Sequence, residues 1–196
     1  MNKIINEHKE LVNPYINTSL SCPIILYPNQ FDNKIYLHLK TNLINKLLGK
    51  CYKDYGFISK IYKIDEYSDG VIESEDPSCS SKFLVKFSCR LCIPPKNKEI
   101  VFKIDRMNKV LISGENGPIK TIITNEKINK DKFFIDNNRN IRIKNNSEVL
   151  VPGKYIRVLI LSYSFNEYSK NILVIGYLQD IADEDEIKFF NEYNNF

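Results

Sequence analysis

The stretch from Leu26 to Ile58 constrains this chain more than any other. Ile35, Leu39, Leu43 and Leu47 recur every four residues, and Tyr36, Ile44 and Leu48 widen the stripe into one apolar helical face. Asp32 or Asn33 can cap the start of that helix, expected over 32–48, and Gly49 supplies a left-handed residue at its end. Leu26, Pro28 and Phe31 lead into it, and Tyr55-Gly56-Phe57-Ile58 opens a strand after it. A helix with one apolar face, held between two strands, needs a sheet to cover. The stretch therefore predicts a small α+β domain.

The neighbouring residues supply that sheet. Residues 18–27 read as a strand, and Pro23 within it places the strand at an edge or a bulge, because proline cannot donate to the ladder. A second strand is expected over 56–64, followed by a Ser-, Asp- and Gly-rich loop over 66–81. Phe83, Val85, Phe87, Cys89, Leu91 and Ile93 alternate with Lys86, Ser88 and Arg90, the period of a half-buried strand. Pro94-Pro95 ends it and marks the domain boundary. Four segments follow from this: a flexible extension over 1–17, an α+β domain over 18–95, a strand-rich domain over 96–181, and a short acidic helical tail over 182–196.

The strand-rich half carries five candidate strands, at 100–104, 110–113, 119–124, 155–165 and 172–178, with a turn at Gly114-Glu115-Asn116-Gly117. An Asn- and Lys-rich connection over 125–152 separates the third from the fourth. That pattern predicts a five-stranded OB-type β-barrel. In the tail, Asp183, Glu184, Asp185 and Glu186 suit the positive end of a helix dipole.

Composition narrows the chemistry. Five cysteines, an odd number in a chain of 196 residues, argue against a disulfide framework and for a reducing, intracellular compartment. Residues 1–10 lack the apolar core of a secretory signal, and no apolar run approaches the ~20 residues that span a bilayer, so a soluble protein with no membrane partner is expected. A formal charge of +4 permits nucleic-acid contact without requiring it. Cys89-Arg90-Leu91-Cys92 has a C-x-x-C spacing, but on a strand the two thiols fall on opposite faces, and both histidines, His8 and His38, lie far off in sequence. No nucleophile elbow, phosphate-cradling loop or paired catalytic carboxylates occur. Catalytic residues, a metal site and a cofactor are all expected to be absent.

Lys103, Arg106, Lys109 and Lys120 lie on or between the first three barrel strands, and Phe165 and Tyr168 at the loop joining the last two. Basic strands with an aromatic loop are how OB-type barrels hold single strands, although lysines on strands also simply face water.

The residues Leu26-x-Pro28-x-x-Phe31, Leu39-Lys40-Thr41-x-Leu43, Gly49-x-Cys51 and Gly56-Phe57-Ile58, in ungapped spacing, resemble the stalk subunit of DNA-directed RNA polymerase, that is, the seventh subunit of eukaryotic polymerase II and its archaeal counterpart. Lys82-Phe83-x-Val85-Lys86-Phe87, Gly117-Pro118-Ile119-Lys120, Ile156-Arg157-Val158 and Ile175-Gly176-Tyr177-Leu178 extend the likeness over roughly 18–181. Lys96-Asn97-Lys98-Glu99-Ile100 stands where the family has Lys-Gly-Glu-Val. The resemblance implies a ribonucleoprotein-like tip domain that docks on the polymerase core, here through Gly49, Cys51, Tyr55, Gly56, Phe57 and Ile58. It further implies a barrel beside the emerging single-stranded RNA, a smaller fourth-subunit-like partner, and catalysis residing in the large subunits. Heavy Asn, Ile and Lys usage fits an AT-rich genome, such as that of a large DNA virus or a protist. The expected location is then the nucleus for a cellular protein, or infected-cell cytoplasm and virion for a viral one. The competing expectations are a free-standing OB-type RNA-binding module of translation or RNA processing, and a barrel that serves only as a scaffold for protein contacts.

Overall fold

Phe83, Val85, Phe87, Cys89 and Leu91 are the buried half of an alternating strand that forms the centre of a five-stranded sheet. The computed structural model describes residues 11–74, 77–108, 110–136, 140–145 and 148–194. These fall into two compact units, one built from residues 15–93 and 166–170 and the other from the remainder.

The first unit contains β1 (Tyr15–Leu26), α1 (Ile35–Leu47), β2 (Cys51–Tyr52), β3 (Gly56–Tyr67), β4 (Val71–Ile72) and β5 (Ser81–Cys92). β5 is flanked by β1 and β3, β2 extends the sheet beyond β3, and β4 pairs with the start of β5, all antiparallel. β1 begins at Tyr15, inside the segment expected to be an extension; residues 1–10 lie outside the described residues. Pro23 sits opposite Leu84 on β1, an edge strand, where a missing N–H costs no ladder bond. The 66–81 loop differs from expectation by carrying β4, which pairs Val71 with Lys82 and Ile72 with Ser81.

α1 lays Leu39, Leu43 and Leu47 on the sheet, each fully buried with Cys22, Leu26, Val85 and Phe87. Each leucine so buried contributes roughly 1.5–3 kcal/mol. The helix starts later than the stripe suggests, because Asp32 stands ahead of it and accepts the Lys34 N–H at 2.7 Å. At the other end Gly49 has φ +73 and its N–H donates to Ile58 O at 2.9 Å, which turns the chain from helix to sheet. The Lys50 ammonium donates to Asn45 O and Lys46 O, satisfying carbonyls at the helix C-terminus.

The second unit contains β6 (Glu99–Met107), β7 (Leu111–Asn116), β8 (Ile119–Thr124), β9 (Phe133–Ile135), β10 (Ile141–Ile143), β11 (Tyr155–Ser164), β12 (Ile172–Ile181) and α2 (Glu184–Asn194). A closed barrel runs β6-β7-β8-β12-β11 and back to β6, with β12 parallel to β8 and every other pairing antiparallel. This closed, mixed, five-stranded barrel agrees with an OB-like fold, and the chain as a whole is α+β with sheet predominating. Ile100, Phe102, Ile112, Ile119, Ile156 and Val158 are among the side chains that fill it.

The expected turn at Gly114 is instead strand. Gly114 sits within β7, where a Cβ would come within 3.2 Å of Lys103 O and the Phe102 side chain; the glycine marks a close approach of neighbouring strands, and the turn is left to Gly117 and Pro118. The 125–152 connection is more ordered than its composition suggests. β9 and β10 pair, Leu150 N–H donates to Ile141 O, and Phe133, Ile141, Ile143 and Leu150 are buried. Among the described residues no helix is long and apolar enough to cross a membrane.

Candidate docking and nucleic-acid surfaces

Tyr55 stands 45% exposed at the turn between β2 and β3. Lys53 adopts φ +45 there, and its ammonium lies 5.2 Å from the Tyr52 ring centre, with the Tyr52 and Tyr55 rings 5.9 Å apart. Of the six residues expected to dock, Cys51, Gly56 and Ile58 are buried, Gly49 and Phe57 are half-buried, and Tyr55 faces out. The buried ones belong to the packing of the unit, and Tyr55 is the one that faces solvent. Gly56 has φ +129, and a Cβ there would meet Cys92 O at 2.6 Å and Ile93 Cγ1 at 2.8 Å. Lys53 and Asp54, exposed at the same turn, carry no signal in the sequence; a two-residue β2 is too short to show the periodicity that would flag them.

Tyr168 belongs to this unit. Its backbone N–H donates to Cys51 O at 2.8 Å, and the Cys51 N–H donates to Ser169 O at 2.8 Å, so residues 166–170 extend the backbone pairing of β2. Tyr168 takes φ +64, a left-handed conformation uncommon for a non-glycine residue.

Three buried thiols are held protonated. Burial pushes Cys51 and Cys89 up to about 11, and burial with Cys51 nearby pushes Cys92 up to about 12. Cys89 packs in the core with α1, whereas Cys92 lies by Cys51 and the Tyr15 side chain. Tyr52 is likewise driven up, first by burial, and donates its hydroxyl to Ser21 O at 3.0 Å. His38 stands 3.1 Å from Asp32, whose carboxyl is held low by the Lys34 N–H first and by His38 second. Among the described residues no group of three or more His, Cys, Asp or Glu is arranged to hold a metal.

In the barrel unit, Lys103 on β6 and Lys120 on β8 both stand opposite Glu115 of β7 in the strand register, so the three residues form a row across three strands. The Lys103 ammonium is 6.0 Å from the Tyr155 ring centre. Arg106 is highly exposed and ion-paired with Asp105 at 3.5 Å. Lys109 lies outside the described residues. Phe165 stacks on Tyr163, rings 6.2 Å apart and 4° from parallel, with Lys96 5.4 Å from the Tyr163 centre. The structure thus brings Lys103 and Lys120 together, gives Phe165 a partner that the sequence pattern does not reveal, and assigns Tyr168 to the other unit. Tyr163 escapes notice in the sequence because an irregularity between Ile160 and Ser162 shifts the strand phase, aligning Tyr163 with buried Val174.

Arg157 organises the barrel's acidic side. Its guanidinium lies 3.1 Å from Glu99, 3.4 Å from Asp180 and 2.8 Å from Glu186. Glu186 also accepts the Asp183 N–H at 2.9 Å, so the acidic tail residue both caps α2 and ties it to the barrel.

No protein-family model matches the chain. The chain is similar to a protein of Acanthamoeba polyphaga mimivirus that is provisionally named a DNA-directed RNA polymerase subunit. The two are 33% identical over 177 residues, spanning 90% of this chain and 88% of the relative.

Proposed function

We propose, from the premise that this chain belongs to the family of DNA-directed RNA polymerase subunits, that it is the non-catalytic stalk subunit of such an enzyme. In this reading residues 18–95 form the tip domain that docks on the polymerase core, with Tyr55, Phe57 and the turn beside them as the contact. The barrel over 96–181 meets emerging single-stranded RNA, with Lys103, Lys120 and Phe165 on its surface. A smaller fourth-subunit-like protein is the second partner, and catalysis belongs to the large subunits. The mimivirus relative makes a viral transcription apparatus, in infected-cell cytoplasm and virion, the favoured setting.

One observation carries the reading: an OB-like barrel follows an antiparallel sheet with one covering helix, in a chain whose relative is named for the polymerase. Affinity purification of the tagged protein from cells that express it, followed by mass spectrometry, tests it. Large polymerase subunits are expected in stoichiometric amounts. A protein that instead runs alone on size exclusion of native extract is a free-standing module, and the stalk assignment fails.

A further inference from the structure

The connection between β8 and β11 builds a site that the barrel strands do not share. After Thr124 the chain runs beside β12, with Asn129 N–H donating to Leu178 O and Leu178 N–H to Lys127 O, both at 2.9 Å. The Asn129 carbonyl then accepts the N–H groups of Lys132 and Phe133, and β9 leaves from this turn to pair with β10. Between these pieces lies a cavity of about 330 Å³. Ile128 and Phe133 form its buried wall, and Phe134 and Ile135, both more than a third exposed, form its outer wall. Lys130, Lys144 and Asn125 complete the lining.

Two cations line this cavity. Lys132 is paired with Asp180, Arg142 with Asp136 at 3.0 Å, and Lys154 with Glu148 at 2.7 Å. Lys130 and Lys144, which line the cavity, have no carboxylate partner among the described residues. Two exposed ammonium groups at the rim of an apolar, aromatic-walled cavity suit a ligand that is flat and apolar in one part and anionic in another.

We propose that this cavity receives one nucleotide of single-stranded RNA, its base against Phe134 and its flanking phosphates on Lys130 and Lys144. The inference rests on the reading that the protein meets transcript, and it places a contact on the β9–β10 insertion instead of on the basic strands. Two properties favour RNA. The volume is near the lower end of the ~300–1,000 Å³ range of ligand pockets, enough for one planar group and too little for a helix face. Every nucleotide brings both a π-face and a phosphate, so one chain satisfies wall and cations together. A purely apolar peptide would leave both lysines unmet.

The test uses the full-length protein and a fluorescein-labelled twelve-nucleotide oligouridine, followed by anisotropy across a salt series. Phe134→Ala is expected to weaken binding roughly ten-fold, the loss of about one stacked base. The double variant Lys130→Ala/Lys144→Ala is expected to make the slope of log K against log salt shallower by about 1.4, since each phosphate contact on a single strand contributes about 0.7. Phe134 and both lysines lie outside the buried core, and thermal melting checks that the variants fold. Should Phe134→Ala misfold, the lysine variant alone decides. If the wild-type protein binds oligouridine and both variants bind equally well with an unchanged slope, the cavity assignment is overturned while RNA contact elsewhere on the barrel stands. If the wild-type protein ignores RNA, or binds only an acidic phenylalanine-containing peptide that the variants lose, the RNA assignment and the reading beneath it fall together.

Discussion

The hydroxyl of Tyr193, on the last helix, lies 2.8 Å from the side-chain amide nitrogen of Asn116 in β7, and Asn116 has no solvent exposure. The same amide donates to Val101 O at 2.7 Å, and the Asn194 amide donates to Asn116 Oδ1 at 3.0 Å. A polar side chain inside an apolar barrel is tolerated only when its donors and acceptors are met, and α2 meets two of them here. The acidic tail is therefore part of the barrel's structure.

Tyr193→Phe keeps the ring packing against Phe189 and Phe190 but removes the hydroxyl. One Asn116 donor is then left buried without a partner, which costs about 1–3 kcal/mol. Urea unfolding should show a lower midpoint with an unchanged m-value, the mark of lost stability without lost compactness. An unaltered midpoint would mean that α2 does not stay on the barrel in solution.

Removing Arg157 should cost more. Glu99 is 5% exposed and faces that guanidinium at 3.1 Å. Arg157→Ala takes the cation away from this buried carboxylate, and breaking such a buried pair costs on the order of 3–5 kcal/mol. Glu186→Gln keeps the shape of the cluster and should lose no more than about 1 kcal/mol, because Glu99 and Asp180 remain on the arginine. The same denaturation experiment ranks the two variants, and an equal loss from both would show that the cluster does not act through Glu99.

The parts legible in the sequence are those where one periodicity runs long enough to read. Leu39, Leu43 and Leu47 announce a covering helix, and residues 83–91 announce a central strand, because a face buried on one side leaves a regular imprint. Gly114 misleads because glycine marks either a turn or a close approach of strands, and only the packing against Phe102 and Lys103 tells which. Phe133-Phe134-Ile135 is too short to show a period, so the β9–β10 hairpin and its cavity leave no trace. Sequence neighbours place Tyr168 with the barrel, yet its backbone is paired to Cys51, a long-range contact that local pattern does not encode.

Gly56 and Tyr55 separate architecture from contact. Gly56→Ala forces an L-residue to φ +129 and drives a Cβ to 2.6 Å from Cys92 O, so a loss on the order of 3 kcal/mol is expected, visible as a lower melting temperature. Tyr55→Asp, at an exposed ring, should leave melting within about 0.5 kcal/mol of wild type. It should nonetheless reduce recovery of polymerase subunits several-fold if the β2–β3 turn is the docking contact. Full recovery with Tyr55→Asp would move the docking surface elsewhere on the unit.

The buried thiols give a pH-dependent signature. Cys51, Cys89 and Cys92 are held up at about 11 to 12, above their ordinary value of 9.0. Below pH 9 these thiols carry their protons whether the chain is folded or unfolded, so they leave stability unaffected. Above pH 9 the unfolded chain releases protons that the folded chain retains, and stability falls progressively as pH rises toward 11 to 12. Melting temperature should therefore decline above pH 9, and replacing Cys92, which has the largest upward shift of the three, with alanine should flatten the decline while lowering stability at neutral pH through the cavity it leaves. Reaction with Ellman's reagent at pH 8 should be rapid for Cys79 alone, the exposed cysteine, with all five cysteines reacting only after denaturation. Rapid native reaction of more than one thiol would show that the packing around Cys51 and Cys92 opens on the timescale of the assay.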